Sequence, residues 1–306
     1  MTAAKVLAMT GATGFVGRAA MDCLLAAGWH IRALARRDQP EKTGVTWIYG
    51  ALDKPDNLYE LCDGADAILH IAGVVNAADA AGFEAGNVTG TANMIAAAKS
   101  AGVKRFVHVS SLSAREPKLS DYGASKMRGE KLVATSLLDW TVVRPPGVFG
   151  PGDTEVLEMF RMAKKGLVLL PPRGRASWIY VDDLARLLAA LCPAHEDATA
   201  QIFEADDGEP HGWTHSGFAR AIGWALGRRV TTLHAPKPLL LAAAYADRFF
   251  RRSNAKLTPD RAGYMAHRDW TISPSARPPA ALWVPRVKTR SGLQDTVRWY
   301  KRQGWL

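Results

Sequence analysis

Val6-Leu-Ala-Met9-Thr10-Gly11-Ala12-Thr13-Gly14-Phe15-Val16-Gly17 is the stretch that decides the fold. A short apolar run of buried-strand type enters a turn of small residues. Helical apolar spacing then runs from Phe15 to Ala27 and stops at Gly28. Small residues let the backbone turn sharply and lie close to a ligand. The following helix points its free amides and the positive end of its dipole at that spot, which suits a pyrophosphate. A glycine triplet alone is a weak signal, but its place between a strand and a helix strengthens it. The bland alternative is a tight turn with no ligand.

Outward from that turn, strand and helix patterns alternate. Strands are expected at His30–Ala35, Ala67–Ile71, Arg105–Ser110 and Thr141–Val143, and helices at Leu58–Cys62, Phe83–Ser100 and Tyr122–Ser136. Near-continuous apolar strands separated by helices predict a parallel sheet covered on both faces. After Arg144 the texture changes, with Pro and Gly clustered at Pro145–Gly147, Gly150–Gly152 and Pro171-Pro172. Trp178–Leu191 reads as a helix and Gln201–Ala205 as a strand, both returning to the sheet. The expected class is α/β: a Rossmann-type parallel sheet with helices on both faces, plus a smaller, mostly helical C-terminal substrate domain. The sheet domain takes residues 1–150 and about 176–208, and the substrate domain about 151–175 and 209–306.

Composition narrows the function classes. The chain has 306 residues, 48% apolar and 22% charged, which excludes disorder and collagen-like or coiled-coil architecture. Cys23, Cys62 and Cys192 are far apart and form no CxxC pair, so neither a disulfide framework nor a metal site is expected, and a reducing, cytoplasmic setting is. The longest apolar run, Leu239–Ala246, is far short of the roughly 20 residues of a spanning helix. The apolar run at the N-terminus is too short for a signal peptide. The net charge is +10, and it is unevenly placed. Residues 211–306 carry 17 basic and 4 acidic side chains, whereas residues 1–210 carry 22 and 25.

Two further patterns carry chemistry. Strand two ends at Ala35-Arg36-Arg37-Asp38, where an adenosine ribose would lie. An acidic side chain there accepts from the 2′-hydroxyl of NAD, while arginines suit the 2′-phosphate of NADP. Arg36 and Arg37 therefore point to NADPH/NADP, with NAD as the alternative. Tyr122-Gly-Ala-Ser-Lys126 has the YxxxK spacing, which places phenol and ammonium on one helix face. An ammonium favours phenolate and lowers a phenol pKa from its usual value of about 10. Taken alone, that spacing is common by chance.

The combination is not random. Gly11-x-x-Gly14-x-x-Gly17 after Thr10 resembles the loop of the short-chain dehydrogenase/reductase superfamily, in its extended branch. That branch includes NAD(P)-dependent epimerases and dehydratases and 3-beta-hydroxysteroid dehydrogenase-like enzymes. The resemblance covers residues 5–205, and Val284–Leu306 is similar to the branch's C-terminal helices. It implies a catalytic set of Ser111, Tyr122, Lys126 and Asn87. Ser111, on a strand ending in hydroxyls, would hold the carbonyl oxygen; Ser110 and Ser113 compete for that role. Tyr122 would be the acid/base and Lys126 its tuner and a holder of the nicotinamide ribose. Asn87, in Asn87-Val-Thr-Gly90, would serve a proton relay, or simply start a helix. Cofactor contacts are implied at Thr10, Gly11, Thr13, Gly14, Phe15, Val16, Gly17, Arg36, Arg37, Leu52, Asp53, Ala72, Gly73, Tyr122, Lys126, Pro145, Gly147 and Val148. Ala72 and Gly73 follow His70, itself read as a packing residue. Arg144-Pro-Pro-Gly-Val-Phe149-Gly-Pro-Gly152 resembles the branch's RPxxVYGPG segment, and Tyr180-Val-Asp182-Asp183 its VDDVA segment, whose aspartates are expected to fix structure. Ala51 stands where the branch commonly has Asp, which weakens adenine recognition through Asp53.

The resemblance implies an enzyme that moves a hydride between NADPH and a carbonyl, with a small-molecule or lipid ketone as substrate. A sugar-nucleotide epimerase or dehydratase holding NAD is the second reading, with Arg161, Lys164, Lys165, Arg173 and Arg175 as anchors. A non-catalytic NADPH-binding structural subunit is the third, and retention of Tyr122 and Lys126 counts against it. Lys237–Arg252 joins an apolar run to a basic cluster, the composition of an amphipathic element on an anionic membrane surface. The bland alternative is a packed helix of the substrate domain. The surface reading implies peripheral attachment at the inner face of a membrane and a bulky 3-oxo lipid such as a ketosphingolipid, a ceramide or a steroid-like ketone. No nucleic-acid motif accompanies the basic charge, so nucleic acid is not an expected partner. An oligomer is compatible with the sequence.

Overall fold

The computed structural model describes residues 5–252, 255 and 257–306. Strand β1 (Val6–Thr10) is buried from Leu7 onward, as its unbroken apolar run requires. Helix α1 (Phe15–Ala26) follows the glycine turn. Gly14 is its N-cap and offers no side chain to the first-turn amides. Strands β2 (His30–Ala35) and β3 (Val45–Tyr49), helix α2 (Pro55–Cys62) and strand β4 (Ala67–His70) come next. Strand β3 was not expected from the sequence. It lies at the sheet edge with Thr46 and Tyr49 exposed, so its apolar pattern is broken.

Helix α3 (Ala80–Glu84) passes through one π-turn (Ala85–Thr89) into α4 (Gly90–Ser100). Asp79 caps it by accepting from the Gly82 amide at 2.9 Å. Strand β5 (Arg105–Val109), a 3-10 turn (Leu112–Arg115), helix α5 (Asp121–Ala134) and strand β6 (Asp139–Val143) complete the N-terminal run. The main sheet is closed by β11 (Gln201–Phe203). It has seven strands, in the order β11-β6-β5-β4-β1-β2-β3, and every pair is parallel. The order reverses between β1 and β4, the place where such sheets bind ligands at the carboxyl ends of their strands. Two apolar layers cover the faces. One joins Leu24 of α1 to Leu184 and Leu188 of α7 (Val181–Leu191); the other joins Leu58 and Leu61 of α2 to Met94 of α4.

The remaining elements form a third cluster around Phe149, Phe160, Phe218 and Tyr300. Strand β7 (Gly147–Phe149) pairs with β10 (Trp178–Tyr180). The sequence reads Trp178–Leu191 as one helix, but its first three residues are this strand. The apolar run Trp-Ile-Tyr-Val fits either state, and pairing with β7 decides it. Helix α6 (Leu157–Lys164) leads to β8 (Leu167–Leu170), which pairs with β13 (Thr231–His234). Strand β9 (Arg175–Ala176) lies between β12 (Trp213–Thr214) and β14 (Asp269–Trp270). Helices α8 (His215–Ala225), α9 (Lys237–Arg251), α10 (Pro259–Met265) and α11 (Thr289–Arg302) complete this part. Among the described residues, no helix is long and apolar enough to cross a membrane.

Candidate active site

The glycine turn is built for close approach. Gly11 has φ +76°, and a side chain there would press the Ala72 amide at 2.7 Å; one on Gly17 would strike the Gly11 carbonyl. Thr13 and Gly14 are exposed and Phe15 and Val16 half-buried, so the loop faces outward above the β1/β4 junction. With no side-chain cap on α1, its first amides are free to meet an anion. Arg36 and Arg37 stand exposed just beyond β2. A nicotinamide dinucleotide fits this cradle, where the Gly11–Gly17 turn would hold the pyrophosphate and the end of β2 the ribose. Leu52 packs against Gly90, and Asp53 is exposed.

Thr10 sits beneath that surface. Its hydroxyl accepts from the Ala72 amide at 3.2 Å and meets His70 Nδ1 at 2.7 Å. Thr91 donates its own proton to the Asn87 carbonyl at 2.9 Å, so His70 Nε2 is the donor across the 3.2 Å to Thr91. A buried chain thus runs from Ala72 through Thr10, His70 and Thr91 to Asn87. Burial, helped by the Lys126 charge, pushes His70 down to about 3, so its ring is neutral. His70 is a packed, bridging residue, in line with the sequence reading.

Asn87 lies in the π-turn rather than at a helix start. Its side chain accepts from the Val74 amide at 2.7 Å and donates to the Val74 carbonyl and the Ser125 hydroxyl, both at 2.9 Å. A π-turn adds a residue to one helical turn and redirects side chains, often where function needs it. Ser125 in turn donates to the Tyr122 carbonyl at 2.8 Å. Gly73 makes room for this corner: a side chain there would sit 2.8 Å from Asn87 Oδ1 and 3.6 Å from Lys126 Nζ.

Helix α5 carries Tyr122 and Lys126 one turn apart. Ser120 caps it, accepting from the Gly123 amide at 2.9 Å. Lys126 is buried, and its Nζ donates to the Val109 carbonyl at 2.9 Å. Burial lowers it to about 8 against the opposing pull of Glu130. Burial pushes Tyr122 up to about 12, although hydrogen bonds to Ser111 and Ser113 pull the other way. Those two hydroxyls lie 2.7 Å apart. Ser110 is buried and its hydroxyl has no partner among the described residues, so it is not part of this pair. The structure therefore brings Ser111, Ser113, Tyr122, Lys126 and Asn87 together. Pro145 is buried beside the serines, its carbonyl accepting from the Leu112 amide at 2.9 Å. Gly147 and Val148 lie half-buried in β7.

Several residues at the site were not anticipated. Phe83 and Tyr264 flank the Tyr122 ring, at 5.9 and 6.3 Å between centroids. Asp260 Oδ1 accepts from the Asp121 amide at 2.5 Å, a second cap on α5 from a remote segment. Arg261 pairs with Glu155 at 2.5 Å, and the Glu155 charge acts on Tyr122 and Tyr264 alike. Arg144 grips Glu130 of α5 through two hydrogen bonds, at 2.9 and 2.7 Å, so the Arg-Pro-Pro segment holds α5 in place. Asp183 accepts from the Arg286 and Val287 amides and fixes the chain leading to α11. Among the described residues, no group of His, Cys, Asp and Glu could hold a metal.

Residues 7–205 match the family model described as NAD dependent epimerase/dehydratase family. The ceramide reductase of Caulobacter vibrioides is 36% identical over 313 residues, covering 98% of this chain and 96% of that protein. The 2-alkyl-3-oxoalkanoate reductase of Shewanella oneidensis is 30% identical over 243 residues, covering 66% and 62%. A UDP-glucuronic acid 4-epimerase from Bacillus cereus, solved with UDP-glucuronic acid and NAD, has a TM-score of 0.74 at 17% identity. It covers 98% of this chain and 99% of that one, and at this identity it shows the shared fold. The chain is an oxidoreductase-type enzyme that uses a nicotinamide dinucleotide. With two thirds of its length on the family model and the reductase likeness running end to end, the protein belongs to the NAD-dependent epimerase/dehydratase family.

Proposed function

We propose that this protein is an NADPH-dependent ketoreductase that converts the carbonyl of a hydrophobic, lipid-like ketone to a secondary alcohol. The sharpest substrate class is a 3-oxo ceramide or 3-oxo sphingolipid, with a steroid-like ketone as the wider class. One observation carries the reading: Tyr122 stands beside the paired hydroxyls of Ser111 and Ser113, one helical turn from the buried ammonium of Lys126. The end-to-end likeness to a ceramide reductase supports the substrate class.

NADPH, when bound, supplies the hydride. Ser111 holds the carbonyl oxygen, with Ser113 fixing the serine's rotamer. Tyr122 gives its proton to that oxygen. A phenol near 12 stays protonated at neutral pH, the form a reduction needs. Lys126 stabilises the phenolate left behind and orients the nicotinamide ribose. Asn87 and Ser125 hold the backbone at Tyr122 and begin the route by which a proton returns. Gly11 to Gly17 bind the pyrophosphate, and Arg36 and Arg37 select NADPH. Residues about 151–175 and 209–306 act as the substrate domain around Tyr264 and Arg261.

The epimerase reading loses two of its anchors. Arg175 spends its guanidinium on the His211 and Gly212 carbonyls, and Arg161 pairs with Glu158 on its own helix. The proposed setting is peripheral, at the cytoplasmic face of an anionic membrane, through residues 237–252. Incubation with NADPH and a short-chain 3-oxo ceramide, read by mass spectrometry, tests the activity. A product heavier by two hydrogens is expected. Turnover of a UDP-sugar with no loss of NADPH would sink the reading.

A further inference from the structure

Helix α9 is anchored on one side and open on the other. Leu240 and Ala244 pack against Ala262 of α10. On the opposite face Leu239, Ala242, Ala243, Ala246, Phe249 and Phe250 recur at helical spacing, all exposed. Leu239 is 57% exposed, Phe249 78% and Phe250 80%, and Tyr245 beside them is 63% exposed. An apolar stripe facing water on a helix already seated on its other side calls for a second partner.

The neighbouring sheet repeats the pattern. Leu167 and Leu169 of β8 and Leu233 of β13 are about half exposed, and Leu233 is the register partner of Leu169. The Ala235 amide closes on the Leu170 carbonyl at 2.8 Å, and α9 begins directly after Pro236. The leucine face and the helical stripe therefore belong to neighbouring elements, with only Ala235 and Pro236 between β13 and α9.

The charge around these elements is predominantly basic. Segments 161–175 and 220–252 hold twelve basic residues and one acidic residue, Asp247. Lys164, Lys165, Arg228 and Arg229 precede the two strands, and Arg248, Arg251 and Arg252 end the helix; all are exposed. Asp247 turns inward, accepting from the Leu257 amide at 2.9 Å and pairing with Arg251 at 3.2 Å. A second copy of this chain meeting the same face across a two-fold axis would set like charges together. An anionic bilayer offers both the apolar layer and the opposite charge.

Helix α10 connects this surface to the site. Gly263 lies so close to α5 that a side chain would press the Leu119 carbonyl at 2.7 Å, and Tyr264 faces Tyr122. We infer that the outer stripe of α9, with the leucine face of β8 and β13, docks on an anionic lipid bilayer, and that the α9–α10 hairpin admits substrate from it to Tyr122. The last step rests on the ketoreductase reading; the docking does not.

Flotation of the full chain with vesicles separates the two. With phosphatidylcholine alone the protein stays unbound, and with added phosphatidylglycerol it floats. Phe249→Ser with Phe250→Ser lowers vesicle affinity at least about tenfold, and Arg248→Glu with Arg252→Glu lowers it about fivefold or more per charge. Both variants keep wild-type melting and wild-type turnover of a water-soluble short-chain ketone. Equal recovery with both vesicle types overturns docking. So does a double-serine variant that floats like wild type, or one that instead turns a dimer into a monomer. Loss of the soluble-ketone activity in wild type, with flotation intact, strikes the ketoreductase reading alone.

Discussion

The ring of Tyr264 lies 6.3 Å from the ring of Tyr122, centroid to centroid, so the basic C-terminal third reaches the Tyr122 phenol. The surplus charge and Tyr122 are parts of one neighbourhood. α10 sits between them, with Ala262 on α9, Gly263 against Leu119 and Asp260 on the α5 amides.

Tyr122→Phe removes the proposed proton donor and little else. Phe83 and Tyr264 pack against the ring, which phenylalanine keeps, so the fold holds. Turnover should fall about 10²- to 10⁴-fold, with NADPH affinity nearly unchanged. Single-turnover kinetics and fluorescence titration measure the two separately. Wild-type turnover would refute the assigned role.

Asp260→Ala removes the second cap of α5. Ser120 still caps the helix, so the loss is partial. Losing a capping carboxylate costs about 1 kcal/mol, which in a chain of this size lowers Tm by about 2–4 °C. Because the cap also seats α10, KM for a lipid ketone should rise more than kcat falls. An unchanged KM would show that α10 does not position substrate.

Much of this was readable beforehand, and the reason is local. The glycine turn, the strands around it and the Tyr122–Lys126 pair are short-range patterns, and each lies where the sequence put it. Asp260 and Tyr264 are about 140 residues from Tyr122 in the chain. Thr258-Pro259-Asp260 announces a helix start, but nothing local says which helix it caps. Asn87 was identified from a motif, while the π-turn that aims it has no sequence mark. Strand β3 escapes notice because its edge position breaks the apolar pattern, while the Trp178–Tyr180 run fits strand and helix equally and tertiary pairing decides.

Lys126 gives the protein a recognisable alkaline profile. Its pKa is about 8 in the fold and near 10.4 when unfolded, because burial disfavours the charged form. Between those values the unfolded chain binds more protons, so this residue makes stability rise with pH across that window. Below about 8 both states are protonated and its burial cost is constant. Tyr122 acts oppositely at higher pH: its pKa is raised in the fold, so stability falls from about 10 to about 12. Lys126→Met should remove the rise between pH 8 and 10, a matter of a few kcal/mol at most. Urea midpoints at a series of pH values measure it, and an identical profile in the variant would contradict the assignment.

Arg36→Ala with Arg37→Ala should separate the two cofactors. In the proposed pose both arginines would meet only the extra phosphate, and, exposed to solvent as they are, the pair together would contribute about 1.5–3 kcal/mol. NADPH should bind about ten- to a hundredfold more weakly, and NADH about as before. Equal weakening of both would mean that the arginines support the loop rather than read the phosphate.

Gly73→Ala tests the corner where cofactor loop and proton route meet. The added methyl would sit 2.8 Å from Asn87 Oδ1, so Asn87 must move, whereas its 3.6 Å approach to Lys126 Nζ is an ordinary contact. Asn87 makes three side-chain hydrogen bonds, two to Val74 and one to Ser125. Shifting Asn87 strains those bonds and loosens the backbone at Tyr122 through Ser125. That movement lowers kcat, by about ten- to a thousandfold, and leaves the pyrophosphate turn at Gly11 to Gly17 untouched. NADPH should therefore bind within a few-fold of wild type while turnover collapses. Parallel loss of binding and turnover would place Gly73 in the cofactor cradle alone, and Asn87 outside the chemistry.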